Sequence, residues 1–365
     1  MRGRMCQRDS PPSGQFVIRA DIALFGQLKC LITVLSIALT AGCSDTHSLS
    51  SSAPTLDCET SLDRIELVQC SQLRRQQKNA VEATINSPAD WQLYLQQAAP
   101  GLAPEVFAPG LISLPDRGEF ASVFSADGTE FFFGRGNGTT VEILSTRLVD
   151  GVWTDPSPVV THERYSYMDA ALSPDESRLY YISNQPLDGE SETKDPDIWL
   201  SRRSAGGWGA PEHAGTPLNS EDGEYYVSFT ETGTLYFTSN REAPAGQEID
   251  FDIHAAAYRN GVFEKPVRLG NAINSKGYDG DVFVAPDESY LIFSSDRPDG
   301  YGSGDLYVSF QTEDGGWSEA RNMGATINTE HQDYCPFVTR DGRYLFFSSN
   351  GDIYWMDAAV IETYR

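Results

Sequence analysis

The stretch Ala285 to Ser309, A-P-D-E-S-Y-L-I-F-S-S-D-R-P-D-G-Y-G-S-G-D-L-Y-V-S, decides how the chain is read. A Pro-Asp-Glu turn, Pro286 to Glu288, leads into the apolar run Tyr290 to Ser294. A Gly- and Asp-rich loop, Asp296 to Gly304, follows, and a second alternating run begins at Asp305. Turn residues flanking short β-branched and aromatic runs predict strand, loop, strand.

The unit recurs. Ser173-Pro174-Asp175-Glu176 leads to Leu179–Asn184 and then to Asp197-Ile198-Trp199. Thr232-Gly233 leads to Leu235–Asn240 and then to Asp252-Ile253-His254. Asp341-Gly342 leads to Tyr344–Asn350 and then to Asp352-Ile353-Tyr354, and the weakest copy pairs Asp127-Gly128 and Phe131–Phe133 with Glu142-Ile143-Leu144. A period of roughly 50 residues belongs to propellers and related arrays. A third signal, an aromatic after a Gly-containing turn, introduces one more strand at Trp153, Trp208, Phe263 and Trp317. A short run precedes each Asp turn: Phe120 to Ser125, Asp169 to Ser173, Tyr226 to Thr230, Val282 to Ala285 and Cys335 to Thr339. Each full copy thus holds four strands in the order inner, second, third, outer, which is one propeller blade.

The fifth copy ends after its third strand. Upstream of the first copy, Glu105 to Ser113 resembles the missing piece: Phe107-Ala108-Pro109 matches Phe263 to Pro266. An N-terminal strand is therefore expected to complete the last blade, since an edge would otherwise stay unpaired. The expectation is an all-β, five-bladed propeller of four-stranded antiparallel blades over residues 105–365.

At Ser173-Pro174-Asp175-Glu176, at Ser294 to Tyr307 and at Cys335 to Ser349 the chain resembles the WD40-like β-propeller repeat of the TolB group. The resemblance covers about Glu105 to Arg365. It implies the propeller fold, with six blades as the alternative count. For function it implies a range: periplasmic scaffold proteins, peptidase-associated propellers and bacterial lipoproteins.

The formal net charge of −25 sets nucleic acid and anionic lipid aside as partners, because both would repel the chain. Lys29 precedes the apolar run Cys30 to Gly42, too short to span a bilayer but right for a signal-peptide core. Leu39-Thr40-Ala41-Gly42-Cys43 resembles a bacterial lipobox, so 1–43 is expected to be a signal peptide with lipobox and Cys43 the lipidated residue. Ser44 after the Cys points, by resemblance to enterobacterial sorting, to the periplasmic side of the outer membrane, with the cell surface as alternative; the membrane is met through the lipid only. Residues 44–57 form a Ser-rich tether, and 58–104 read as a helical segment carrying the Cys58–Cys70 pair as an expected disulfide. Cys335 is expected to be a buried small apolar residue.

Eight residues before each Asp-turn position stand Glu119, Tyr167, Glu224, Asp279 and Asp333, with Asp169 and Asp281 two places further in. These and Tyr334 are the candidate ligand-binding residues, expected at the mouth of the central channel. With no obvious Lys or Arg to compensate them, the acids favour a cation, a polar ligand or raised carboxylate pKa values. The competing expectation is structural: acids that lead into inner strands and bond backbone N–H groups, repeat after repeat. No Gly-x-Ser-x-Gly elbow, His-Glu-x-x-His or paired Cys-x-x-Cys occurs. The leading functional expectation is a lipid-anchored envelope propeller that binds a protein or glycan without catalysis. The alternatives are a glycan-active enzyme using Glu119, Glu224, Asp279 or Asp333 as acid and base, and a propeller stabilised by Ca²⁺ on the same ring.

Overall fold

The computed structural model describes residues 93–243 and 250–365. The expected signal peptide, Cys43, the tether, the Cys58–Cys70 pair and most of the helical segment lie outside the described residues.

Five antiparallel sheets follow the sequence period. Blade 1 is Glu119–Phe124, Glu130–Gly136, Val141–Val149 and Ser157–Val160; blade 2 is Tyr167–Leu172, Arg178–Ser183, Asp197–Ser204 and Glu212–His213. Blade 3 is Glu224–Phe229, Leu235–Ser239, Asp252–Ala256 and Val267–Arg268; blade 4 is Asp279–Val284, Tyr290–Ser295, Asp305–Phe310 and Arg321–Asn322. Blade 5 takes Asp333–Val338, Tyr344–Ser349 and Asp352–Asp357 from the C-terminal end and Glu105–Val106 from upstream of blade 1. Each inner strand touches the inner strands of both neighbours, and blade 5 meets blade 1, so the sheets close into a ring. Five blades, not six, are formed by the described residues.

The closing strand is shorter than the sequence suggested. Glu105 pairs with Trp355 and Val106 with Tyr354, and Phe107 N–H then donates to the Ile353 carbonyl at 2.8 Å. Phe107 is 0% exposed. Its ring lies 5.0 and 5.1 Å from Phe346 and Trp355 of blade 5, and 6.0 and 5.3 Å from Phe124 and Phe131 of blade 1. One aromatic side chain therefore joins the first blade to the last. Elsewhere the core is built the same way, from side chains packed between adjacent blades, as with Tyr180, Ile182 and Leu200 of blade 2 against Val227 and Phe237 of blade 3.

The described part of the expected helical segment, 93–104, is not helical beyond a single 3-10 turn, Tyr94–Gln96. All three of its residues have positive φ. A right-handed turn would bury one face, whereas here Leu93, Tyr94 and Leu95 are all buried in succession. Tyr94 packs edge-on against Phe124 at 5.1 Å and Tyr344 at 4.9 Å, and its hydroxyl donates to Asp341 at 2.8 Å. Burial at the seam between blades 5 and 1 overrides helix propensity.

Phe107→Ala should lower unfolding stability by about 3–5 kcal/mol, the cost of emptying a buried Phe site. Val262→Ala, on a 63% exposed hairpin residue, should change stability by less than about 0.5 kcal/mol. Urea unfolding of the two variants checks this; equal effects would mean the seam is not where the ring is held.

Candidate functional site

The residues expected in the loops ahead of the inner strands are the first residues of those strands. Glu119, Tyr167, Glu224, Asp279 and Asp333 pair with Arg135, Ser183, Ser239, Ser295 and Ser349 at the end of each second strand. The four acids are fully buried. Ser220 N–H and hydroxyl donate to Glu224 at 3.1 and 2.6 Å, and the Ser239 hydroxyl adds a third bond at 2.9 Å. Ser275 does the same for Asp279, and Thr329 for Asp333. Glu119 accepts from Leu114 N–H at 3.2 Å. Each carboxylate thus ties the loop four or five residues upstream to the start of its own strand.

Two of these acids also have the cations that the sequence did not reveal. Arg241 lies 2.9 Å from Glu224 and Arg297 3.3 Å from Asp279. Both arginines sit two residues beyond the second-strand serine that faces the acid across the ladder, a proximity set by register. Burial raises the carboxyl pKa of Glu119, Glu224 and Asp333, against the hydrogen bonds just named.

A second anchor went unread. Asn219, Asn274 and Asn328 each accept from the backbone N–H and donate to the carbonyl of one third-strand residue, Ile198, Ile253 and Leu306 respectively. The signal was present as Leu218-Asn219-Ser220, Ile273-Asn274-Ser275 and Ile327-Asn328-Thr329, always five residues before the acid.

Channel-facing residues arise from a bulge. In every blade the register between inner and second strand slips after the second residue. Ala121, Asp169, Tyr226, Asp281 and Cys335 stand there, all at positive φ between 39° and 55°. A bulge re-aims the side chain it carries, and these five turn toward the axis. Ala121, Tyr226 and Cys335 form one buried cluster, with Phe120, Tyr225 and Tyr334 packed on it. The Cys335 thiol donates to Asp169 Oδ1 at 3.8 Å. Asp281 lies beside Tyr278 and the Cys335 backbone. Tyr278 reaches it by lying over Gly280, where an added Cβ would come within 2.7 Å of the phenol.

Of the eight candidate ligand-binding residues, the structure brings Asp169, Asp281 and Tyr334 together at the channel. Glu119, Glu224, Asp279 and Asp333 are loop anchors at the first position of their inner strands, and the Tyr167 hydroxyl is spent on Gln185. Cys335 is buried as expected, packed with Ala121 and Tyr226, and its thiol is bonded to Asp169. His162 stacks on Tyr165 at 4.6 Å in its loop. Among the described residues no group of three or more His, Cys, Asp or Glu side chains is arranged to hold a metal ion.

Burial pushes the Asp169 carboxyl well above the usual carboxylate range, and the neighbouring Asp281 charge pushes it further. Burial also raises Asp281, opposed by the Tyr278 and Cys335 donors. Below this pair, Tyr226 donates to the Pro336 carbonyl of blade 5 at 2.8 Å and so lies across the channel. Beyond it, toward the Asp turns, is a cavity of about 90 Å³ lined by Val123, Phe229, Phe283 and Phe337, with Glu176 and Arg340 at its rim. Tyr226 thus separates the Asp169–Asp281 pair from a mainly apolar cavity.

No family model matches the chain, and no curated protein does. Solved structures similar to it include a putative TolB from Agrobacterium tumefaciens, at 18% identity over 65% of this chain and 72% of that one, with a TM-score of 0.42. TolB from Acinetobacter baumannii is similar at 12% identity over 66% of this chain and 54% of its own length, TM-score 0.41. An oligogalacturonate lyase from Vibrio parahaemolyticus is similar at 14% identity over 69% and 68%, TM-score 0.37. These likenesses carry no assignment of function.

Because the folded Asp169 carboxyl lies above its unfolded value, the folded chain keeps a proton there that the unfolded chain has released. Stability from this group is complete below the unfolded value of about 4 and is lost as pH rises through the folded one. Melting from about pH 5 to about pH 9 should therefore fall more steeply for the wild type than for Asp169→Asn, by a few degrees, since about 1 kcal/mol moves a domain of this size by about 2–4 °C. Parallel curves would mean that Asp169 titrates normally. Asn274→Ala should cost about 2 kcal/mol or more by leaving the Ile253 backbone groups buried and unpaired, measurable by urea unfolding.

Proposed function

We propose that this chain is a lipid-anchored binding propeller of the bacterial cell envelope, with its ligand, an envelope protein or a glycan, taken at the channel mouth and not chemically altered. The observation that carries the reading is the division of labour among the acids. The residues best placed by sequence to act as an acid–base pair are spent as loop anchors, three of them with two or more hydrogen bonds. A catalytic carboxylate pair must instead face a common substrate. The residues that do face the channel, Asp169, Asp281 and the tyrosines around them, are a recognition surface: a few polar groups in an aromatic setting.

The envelope location rests on the leader and Cys43, and the acidic surface is consistent with a partner that is neither nucleic acid nor anionic lipid. The second loops of blades 2 and 4, 184–196 and 296–304, are long, while Gly351 turns at once in blade 5 and leaves that side open.

Photo-crosslinking tests the reading. A benzophenone amino acid at Tyr334, beside the chamber, should yield discrete adducts in the envelope of cells making the full chain, and the same group at Val262 should not. Cys43→Ala should move the protein from the membrane to the soluble fraction. Equal labelling from both positions, or glycan turnover abolished by Glu224→Gln in a folded protein, would contradict the proposal.

A further inference from the structure

The cavity below Tyr226 is walled by the inner strands of all five blades, and their side chains there are unequal. Blades 1 and 2 contribute the small residues Ser122, Ala170 and Ala171, whereas blades 4 and 5 contribute Phe283 and Phe337 at the fifth place of their strands. A regular ring of large residues would fill this space; here about 90 Å³ is left. The roof is Tyr226, whose hydroxyl donates to the Pro336 carbonyl at 2.8 Å. Entry is therefore from the turn face, where Leu172, Phe229 and Phe337 on the wall are only half-buried. This place lies beyond Tyr226 from the Asp169–Asp281 pair and is separate from the channel mouth.

Two polar features break the apolar wall. Ser122 is 2% exposed, and among the described residues its hydroxyl has no hydrogen-bond partner. The other inner-strand serine on the wall, Ser228, is satisfied: it donates to the Val282 carbonyl at 2.7 Å and accepts from Val284 N–H at 3.1 Å. A buried hydroxyl left unpaired is costly, so a ligand that brings it a partner gains by doing so. The second feature is the rim. Two residues beyond the inner strands stand Ala126, Pro174, Glu231, Pro286 and Arg340. The prolines have no N–H to give, Ala126 N–H is taken by the Glu176 carboxylate, and Glu231 N–H by the Pro286 carbonyl. Arg340 is exposed, and among the described residues its guanidinium makes one hydrogen bond, 3.4 Å to the Pro174 carbonyl, and no ion pair.

These features choose the ligand. Phe283 and Phe337 meet edge-on at 5.9 Å, a setting in which a further ring packs well. An apolar cavity of about 150 Å³ takes benzene, so this smaller one, open at its rim, holds no more than a single ring. A rim whose backbone donors are spent offers little to a peptide main chain, which favours a free small molecule. A guanidinium binds a carboxylate through two parallel hydrogen bonds. The negative charge of the rest of the chain is screened beyond about 8 Å at physiological salt, so Arg340 decides the sign locally. We propose that the turn-face end of the channel binds a small aromatic carboxylic acid, with its ring between the phenylalanines, a ring hydroxyl on Ser122 and the carboxylate on Arg340. The site does not depend on what the mouth binds.

An NMR titration of the full chain, read at ¹³C-labelled alanine and valine methyls, tests it with 3-(4-hydroxyphenyl)propionate as the probe. The comparisons are its amide, tyramine and 3-phenylpropionate, which lacks the hydroxyl. The probe should shift the methyls of Ala170 and Ala171 with a Kd below about 1 mM. The amide should bind about tenfold more weakly, and 3-phenylpropionate about threefold or more. Arg340→Gln should weaken the probe about tenfold and leave the amide unchanged. Ser122→Ala should bring the two acids to equal affinity. No methyl shift at about 10 mM probe, or shifts that spare Ala170 and Ala171, would overturn the proposal. An amide or tyramine that binds as tightly as the acid would overturn it in favour of an uncharged slot or a cation site, and equal binding of the two acids to the wild type would remove Ser122 and with it the proposal as stated. Arg340 is exposed, so its variant keeps the test decisive if Ser122→Ala does not fold. Failure here alongside adducts at Tyr334 would leave the mouth reading standing, and binding here without those adducts would leave this site standing alone.

Discussion

In each blade the inner strand and its neighbour lose register at the same point, and the residue at the slip takes a left-handed conformation that side chains other than glycine rarely adopt. That conformation costs of order 1–3 kcal/mol at a non-glycine residue and persists only where the surrounding structure over-determines it. Here none of the five positions is glycine. The ring supplies the constraint: the inner strands are packed on both sides, and in four of the five blades the strand start is pinned by its buried acid. The consequence is that one side chain per blade is delivered to the axis, and its identity is free to differ between blades. Alanine, aspartate, tyrosine, aspartate and cysteine occupy equivalent places, so a symmetric scaffold acquires an asymmetric chamber.

That division explains what sequence could and could not disclose. The strand pattern, the period and the return of the chain at Phe107 were legible because they depend on local signals, alternating apolar runs and Gly, Pro and Asp turns. The recurrence of acids at Glu119, Glu224, Asp279 and Asp333 was equally legible, but not its purpose. Whether such an acid faces a channel or a loop is decided by one residue of register. Arg241 and Arg297, which neutralise two of them, are 17 or 18 residues downstream and become neighbours only across the ladder. Tyr278 carries no distinguishing signal in sequence; only the glycine at position 280 leaves room for its ring. The turn at Tyr94–Gln96 was misread because a helical pattern was projected onto residues whose conformation is set by packing at the seam.

The glutamates of the Asp turns show how the ring trades local strain for contacts between blades. Gly128, Gly233 and Gly342 hold the left-handed place in three blades, but Glu176 and Glu288 hold it in two. Each reaches its neighbour, Glu176 to Ala126 N–H and Glu288 to the Tyr236 hydroxyl. Anchored acids of this kind account for much of the buried negative charge.

The most direct measurement is a pH titration of the chain by NMR with ¹³C-labelled aspartate carboxyls, assigned by Asp169→Asn and Asp281→Asn. The account predicts an Asp169 carboxyl that remains protonated well above the ordinary range of about 3.9. An Asp169 signal that titrates at its ordinary value would contradict the account.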